Sequence, residues 1–439
     1  MIRTMLAALL LLGGAANAMA QTPAGVRALR PDQAQFRALY QELVETNTTL
    51  SAGDCTLAAQ RMAAHLKAAG FPDSDLHPFS VPDHPKEGGL VAILPGTDAT
   101  AKPVLMLAHI DVVEAKRDDW TRDPFKLIEE NGYFYGRGTI DDKSMAAIWV
   151  DTMARFKKEG FRPRRTLKMA LTCGEETAGA FNGAEYLAKN QRQLIDAAFA
   201  INEGGGGMID ASGKPLYLGV QVGEKLPQNY RLEVTNPGGH SSRPVPDNAI
   251  YHLAHALVSI EGYDFPIVLN DTTRDFFTRM AAIRGGEQGA AMKAIVANPN
   301  DAAARANVNC RIFPGTSSEE VRQTLAKVIA DPKVTVTMPE VRSAAAAPPP
   351  LNPKVLGPAE SLAAKMFPEV PLVRILQAGG TDGAFLTPAG IPTYGISGMF
   401  LESDLNGIHG LNEKAGVAAL YKSRDYLFDL MKVYADQRD

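Results

Sequence analysis

Short apolar runs that stop at a histidine or a carboxylate constrain this chain more than any other feature. Leu90–Leu94, Val104–Ala108, Thr166–Thr172 and Ala197–Ile201 are bounded by Pro, Gly, Lys or Thr and are apolar almost throughout. Runs of this kind form strands buried on both faces, which requires a sheet covered by helices on both sides. Helical periodicity fills the intervals over Gln33–Glu45, Cys55–Gly70 and from Met145 to about Gly160. An α/β fold is the expectation.

The residues that follow the runs are chemically loaded. His109-Ile110-Asp111 follows the second run, Cys173-Gly174-Glu175-Glu176-Thr177 the third, and Asn202-Glu203-Gly204-Gly205 the fourth. Sheets of this class collect their ligands at the carboxyl ends of the strands. Taken singly, each motif has an ordinary reading: a satisfied core histidine, a surface Glu pair, a loop carboxylate. Asp111, two residues after His109, lies on the same side of an extended chain and is placed to hold the second ring nitrogen of a ligating histidine. Glu175 and Glu176 point in different directions, so one can bind metal while the other moves protons. Gly136-Arg137-Gly138-Thr139-Ile140-Asp141-Asp142-Lys143-Ser144 is a glycine-rich turn between a hairpin at Asn131-Gly132 and a helix. An Asp N-cap is its plain reading. Its occurrence among the other motifs makes Asp141 the point on which they converge.

Length and charge set the frame. A chain of 439 residues exceeds one ordinary core and suggests two domains, and 45% hydrophobic with 21% charged residues marks a soluble globular protein. A net charge of −4 gives no basic footprint for nucleic acid. Arg3, the apolar run Met5–Leu12 and the small residues Ala18-Met19-Ala20 have the order of a secretory signal peptide over residues 1–20, with cleavage expected after Ala20. The run is too short to span a bilayer, so the mature chain is expected in the periplasm or secreted, with no membrane segment. Cys55, Cys173 and Cys310 are too few and too scattered for a disulfide framework and read as small packing residues.

The series His-x-Asp, Gly-Arg-Gly-x-x-Asp-Asp-Lys, Gly-Glu-Glu and Asn-Glu-Gly-Gly, completed by His409-Gly410-Leu411-Asn412-Glu413, resembles the M20 family of co-catalytic zinc metallopeptidases, carboxypeptidases, dipeptidases and aminoacylases among them. The matching segments run from His109 to Glu413. The resemblance implies a phosphorylase/hydrolase-like α/β catalytic domain, with a mixed sheet flanked by helices, and an inserted α+β lid or dimerisation domain. It implies two Zn2+ per subunit, with Co2+ or Mn2+ as substitutes: His109 and Glu203 on one metal, Glu176 and His409 on the other, Asp141 shared, Glu175 as general base and Asp111 behind His109. A donor set of His and carboxylate without Cys suits these metals.

The pattern changes between Gly219 and Ala347-Pro348-Pro349-Pro350. Tyr230–Val234, Arg305–Phe313 and Val334–Met338 read as strands, and Asp247–Ile260 and Ser317–Ile329 as helices, the last with Ser317 or Ser318 as N-cap and Glu320 in its first turn. The expected division is 21–223 and 346–439 for the catalytic domain and 224–345 for the lid. By the resemblance, His240 in Gly238-Gly239-His240 would stabilise an oxyanion, Arg311 would anchor a substrate carboxylate, and Gly380 and Thr381 would touch substrate. The alanine-rich 298–306 stretch leads straight into the strand of Arg311 without the family's Asn-x-x-Pro element, so the lid reads as abbreviated. Val355–Phe367 and Ala418–Val433 read as the closing helices.

The expected function is hydrolysis of an amide bond next to an amino acid with a free carboxylate, in a small peptide or an N-acyl amino acid, by a chain that pairs through its lid. A carboxypeptidase or dipeptidase leads, and an N-acyl amino acid deacylase is the alternative. A binding homologue without turnover is disfavoured because Glu175 and all five ligands are intact. A phosphoesterase is disfavoured because no basic phosphate clamp is present.

Overall fold

The computed structural model describes residues 29–177, 181–225, 228–238, 245–266, 268–298, 312–339 and 347–438. Helices α1 (Pro31–Glu45) and α2 (Cys55–Ala68) precede strands β1 (Leu76–Val81), β2 (His84–Leu94) and β3 (Val104–His109). A hairpin of β4 (Ile128–Glu130) and β5 (Tyr133–Tyr135) leads into α3 (Lys143–Lys158) and β6 (Leu167–Thr172). Then come α4 (Gly183–Asn190), α5 (Arg192–Ile195), β7 (Phe199–Asn202), β8 (Gly206–Ile209) and β9 (Pro215–Glu224). The middle of the chain holds β10 (Arg231–Glu233), α6 (Ala249–Glu261), α7 (Asp271–Arg284), α8 (Gly286–Ala297), α9 (Ser318–Ile329) and β11 (Thr335–Thr337). It closes with α10 (Pro353–Met366), β12 (Leu372–Gln377), α11 (Gly383–Leu386), β13 (Thr393–Gly395), β14 (Phe400–Leu401), β15 (Lys414–Gly416) and α12 (Val417–Asp436).

One mixed ten-stranded sheet runs in the order β1-β2-β6-β3-β7-β13-β9-β8-β14, with β12 paired to β9. β3 is parallel to both β6 and β7, so the carboxyl ends of all three lie along one edge. Every residue of β3 and β6 is buried, as a sheet covered on both faces demands. Alternation divides their side chains between two cores. Val104, Met106 and Ala108 join one that contains Leu43, Leu66, Trp149 and Leu427, whereas Leu105 and Leu107 join another with Ala184, Leu187 and Leu386. Burial of each Val, Leu or Met side chain among these contributes about 1.5–3 kcal/mol. On the first face Arg424 of α12, fully buried, donates to Asp151 of α3 and Asp32 of α1 at 2.8 Å each, tying three helices together.

Long strand β9 and β12 pair in parallel, so the segments before and after the insertion share one sheet. The insertion itself is not one layer. β10 pairs antiparallel with β11, and Ala256, Leu325, Ile329, Val334 and Val336 make a small separate core beneath α6 and α9. Ser317 caps α9 in a reciprocal box with Glu320, as the sequence suggested. Helices α7 and α8, which the pattern reading missed, leave that layer: Arg279 of α7 donates to the carbonyl of Leu372 at the start of β12. The stretch in which the lid reads as abbreviated, before Arg311, lies outside the described residues from 299 on, and ahead of it α7 packs on β12 and on α8. The 305–311 part of the expected strand lies outside the described residues, as does the signal segment.

The cysteine reading is corrected. Cys55, the first residue of α2, and Cys173, the first residue after β6, form a disulfide with Cα atoms 6.2 Å apart. The pairing spans 118 residues and arises from the docking of α2 beside the sheet, which leaves no spacing signal in the sequence. Cys310 lies outside the described residues. Among the described residues, no helix is long and apolar enough to cross a membrane.

Candidate metal centre

Because β3, β6 and β7 run parallel, His109, Glu175-Glu176 and Glu203 emerge side by side. Asp141 reaches the same point from a second, three-stranded sheet, in which β5 lies between β4 and β15. That pairing also sets the 136–141 turn against the loop that carries His409.

Asp141 stands between two imidazoles. Its Oδ1 is 3.1 Å from His109 Nε2, and its Oδ2 is 3.0 Å from His409 Nε2. His109 Nε2 also faces Glu203 Oε1 at 3.6 Å, and His409 Nε2 faces Glu176 Oε2 at 2.9 Å. With Nδ1–H of His109 donating to the main-chain carbonyl of Asp111 at 3.1 Å, the Nε2 lone pair points at carboxylate oxygens. Such an arrangement calls for positive charge between the groups. Donor atoms of His109, Asp141 and Glu176, and of His109, Glu175 and Glu203, each lie within 4.8 Å of one another. Glu176 Oε1 is buried and has no hydrogen-bond partner among the described residues. Tetrahedral zinc with ligands at about 2.0–2.1 Å separates its donors by somewhat over 3 Å, so the residues fit divalent metal.

The electrostatics point the same way. Burial pushes Glu203 up to about 7 even though His109 lowers it, and burial with the neighbouring Glu203 holds Glu175 well above the usual carboxylate range. Burial also raises Glu176. Asp141 and Glu176 push His409 up to about 10. Burial disfavours charge on His109, yet Glu203, Asp111 and Asp141 outweigh it and raise this pKa well above the ordinary histidine value. Crowded acids that resist ionisation and histidines drawn toward charge describe a pocket short of cations.

Asp111 faces the second ring nitrogen of His109, as expected, with its carboxylate Oδ1 3.6 Å from Nδ1 and its main-chain carbonyl at 3.1 Å. The carboxylate has a second job as well: it accepts from the amides of Glu175 at 3.3 Å and Glu176 at 3.0 Å, fixing the loop that presents both acids. Two positioning residues were not singled out from sequence. Glu413, fully buried, accepts from the amides of Gly138, Ile140 and Asp141 at 3.0, 2.7 and 3.1 Å. Asp382 accepts from Thr172 Oγ1 at 2.6 Å and Asn182 Nδ2 at 2.8 Å, tethering the 379–383 loop to the end of β6. A glutamate inside a motif already quoted, and an aspartate inside a glycine-rich loop, carry no periodic signal of burial. Thr381 is buried beside Glu203, and Gly380 is exposed. His240 and Arg311 lie outside the described residues.

A family model described as Peptidase family M20/M25/M40 matches residues 105–433. The N-fatty-acyl-amino acid synthase/hydrolase PM20D1 of Homo sapiens is 29% identical over 383 residues, 77% of this chain and 75% of that protein. The probable carboxypeptidase S-like 2 of Dictyostelium discoideum is 26% identical over 390 residues, 77% of this chain and 72% of that protein. Among solved structures, the M20 family metallo-carboxypeptidase Sso-CP2 of Sulfolobus solfataricus aligns with a TM-score of 0.66 at 18% identity, covering 93% of this chain and all of that one.

Proposed function

The chain belongs to peptidase family M20/M25/M40, a family of metal-dependent hydrolases, and from that premise we propose that it hydrolyses the amide bond next to an amino acid with a free carboxylate. The observation that supports this most is Asp141, whose two oxygens each address a different histidine. We assign His109 and Glu203 to one metal and Glu176 and His409 to the other, with Asp141 shared and zinc as the metal. When bound, such ions polarise a carbonyl and lower the pKa of water.

The remaining steps belong to the chain. Glu175 has no ligand role in this scheme, and Asp111 aims it through the loop amides. It takes the proton of the attacking water and delivers it to the departing amine, so that water and amide become carboxylic acid and amine. A raised pKa suits a group that must both accept and return a proton. His240 is assigned to the developing oxyanion and Arg311 to the substrate carboxylate.

On the acyl side, a peptidyl group is the first reading and is favoured by the likeness to a carboxypeptidase S-like protein. A fatty-acyl group is the second, favoured by the printed activity of PM20D1. Hydrolysis of a mixed panel of dipeptides, tripeptides and N-acyl amino acids, with and without a chelator, separates them. Cleavage of neither group by metal-loaded protein, or cleavage that survives chelation, overturns the reading.

Export from the cytoplasm is supported by the N-terminal pattern and by the Cys55–Cys173 disulfide, which persists in oxidising compartments. Recovery of the full-length, reduced chain from cytoplasm would contradict it. Pairing through the lid is supported by Ile250, Leu257 and Val258 of α6, which are 72%, 55% and 63% exposed and form an apolar stripe. A monomeric mass in solution at all concentrations would exclude such a dimer.

A further inference from the structure

Beside the metal cluster, among β7, β13 and β9, lies a cavity of about 20 Å³, room for one water-sized body. Asn202, Gln221, Glu224, Thr381 and Thr393 line it together with Glu203. Its polar atoms are under-used. Asn202 is 1% exposed, and neither its Oδ1 nor its Nδ2 has a hydrogen-bond partner among the described residues. The same holds for Oε1 of Gln221, which is 5% exposed, and for the buried Oε2 of Glu224. Thr381 satisfies the Glu224 carboxylate only in part, through its side chain and main chain. The backbone makes room for this set. At Gly204, with φ +91°, any Cβ would meet Gln221 Oε1 at 2.0 Å, and at Gly395 a Cβ would meet the carbonyl of Glu203 at 2.5 Å.

The chemistry of the lining selects the guest. Whichever way the Asn202 amide is turned, it offers one oxygen, and Gln221 and Glu224 add two more. An anion would meet Glu224 and Glu203, and an aliphatic chain would leave every buried polar atom unmet. Burial raises the Glu224 carboxyl to about 8, so its charge is favoured by a cation beside it, and oxygen donors that include one such carboxyl in a space of this size suit a hard, singly charged cation. We propose that this cavity binds a small monovalent cation, either an alkali metal ion or the ammonium head of an aminoacyl substrate. The second source rests on the amide-hydrolase reading of the neighbouring cluster, and the first does not.

The test uses the metal-replete chain and its Glu224→Gln variant. Melting temperatures are compared in choline, sodium, potassium and ammonium chlorides at equal ionic strength, and kcat/KM is compared for a free-amine dipeptide and its N-acetylated counterpart. An alkali site raises the wild-type melting temperature with increasing cation over choline, and the variant loses that rise. An ammonium site leaves sodium and potassium like choline, lets ammonium chloride alone raise the melting temperature, and favours the free amine about tenfold in the wild type, and both effects collapse in the variant. Salts without distinction together with no amine preference mean a cavity for water only and overturn the proposal. If the protein holds its divalent metals and cleaves no amide, the ammonium source falls with the hydrolase reading and the salt series alone decides. Should Glu224→Gln not fold, crystals soaked in Rb+ give a variant-free answer: an anomalous peak among Asn202, Gln221 and Glu224 supports the alkali site, and its absence removes that site.

Discussion

Arg137 Nη1 and Glu413 Oε2 meet at 2.8 Å in a pair that is almost completely shielded from solvent, although the two residues are 276 apart in the chain. The second guanidinium nitrogen donates to the carbonyl of Gly410 at 2.7 Å. The turn that carries Asp141 and the loop that carries His409 are therefore one mechanical unit. Glu413→Gln keeps the shape and leaves Arg137 buried without its counter-charge, a change that costs about 3–5 kcal/mol. It should also weaken zinc binding by about 10–100-fold, as loss of a supporting partner does. Thermal melting and a competitive zinc titration check both, and a variant that matches the wild type in each would detach Glu413 from the site.

Glu175→Gln separates base from ligand. The variant is expected to hold as much metal as the wild type while kcat falls by about 10²–10⁴-fold, the range for loss of a positioned proton carrier. Turnover within a fewfold of the wild type would take Glu175 out of that role. Lost metal would make it a ligand.

Much of this site was legible in the sequence, and the reason is geometric. His109, Glu175-Glu176 and Glu203 each end a buried strand, and a run of apolar residues that stops at a charge is visible without any structure. Asp141 was legible through its glycine-rich turn. Glu413, Asp382 and the disulfide were not, since their roles come from contacts across the fold between segments that carry no shared period. The same limit hid α7 and α8, whose mixed composition gives no narrow apolar stripe, and it hid the second role of Asp111, on the loop amides.

The Cys55–Cys173 disulfide anchors the first residue of α2 to the segment that leads into Glu175. Its removal by the double change Cys55→Ser and Cys173→Ser should cost about 2–5 kcal/mol. A reductant should lower the wild-type melting temperature toward that of the double variant and leave the variant itself unmoved. A melting temperature indifferent to reductant would mean that the two cysteines are not joined.

Asp32 gives the acid limb of stability. Hydrogen bonds from Arg30, with Arg424 in support, hold its carboxyl below the usual range against burial. A folded-state pKa lowered in this way contributes stability that is complete above the unfolded value of about 3.9 and is lost as pH falls through it toward the lower folded value. Partial exposure keeps the contribution modest. Melting temperatures from about pH 5 down to about pH 2 should fall less steeply in Asp32→Asn than in the wild type, and equal slopes would contradict the assignment.

The shared carboxylate is the centre of the account, and metal stoichiometry tests it most directly. Elemental analysis of zinc-loaded, gel-filtered protein should find about two ions per wild-type chain and close to none in Asp141→Ala, since both imidazoles lose their common partner. Two ions retained by Asp141→Ala, or a wild type that never holds more than one, would contradict a dinuclear centre built on Asp141.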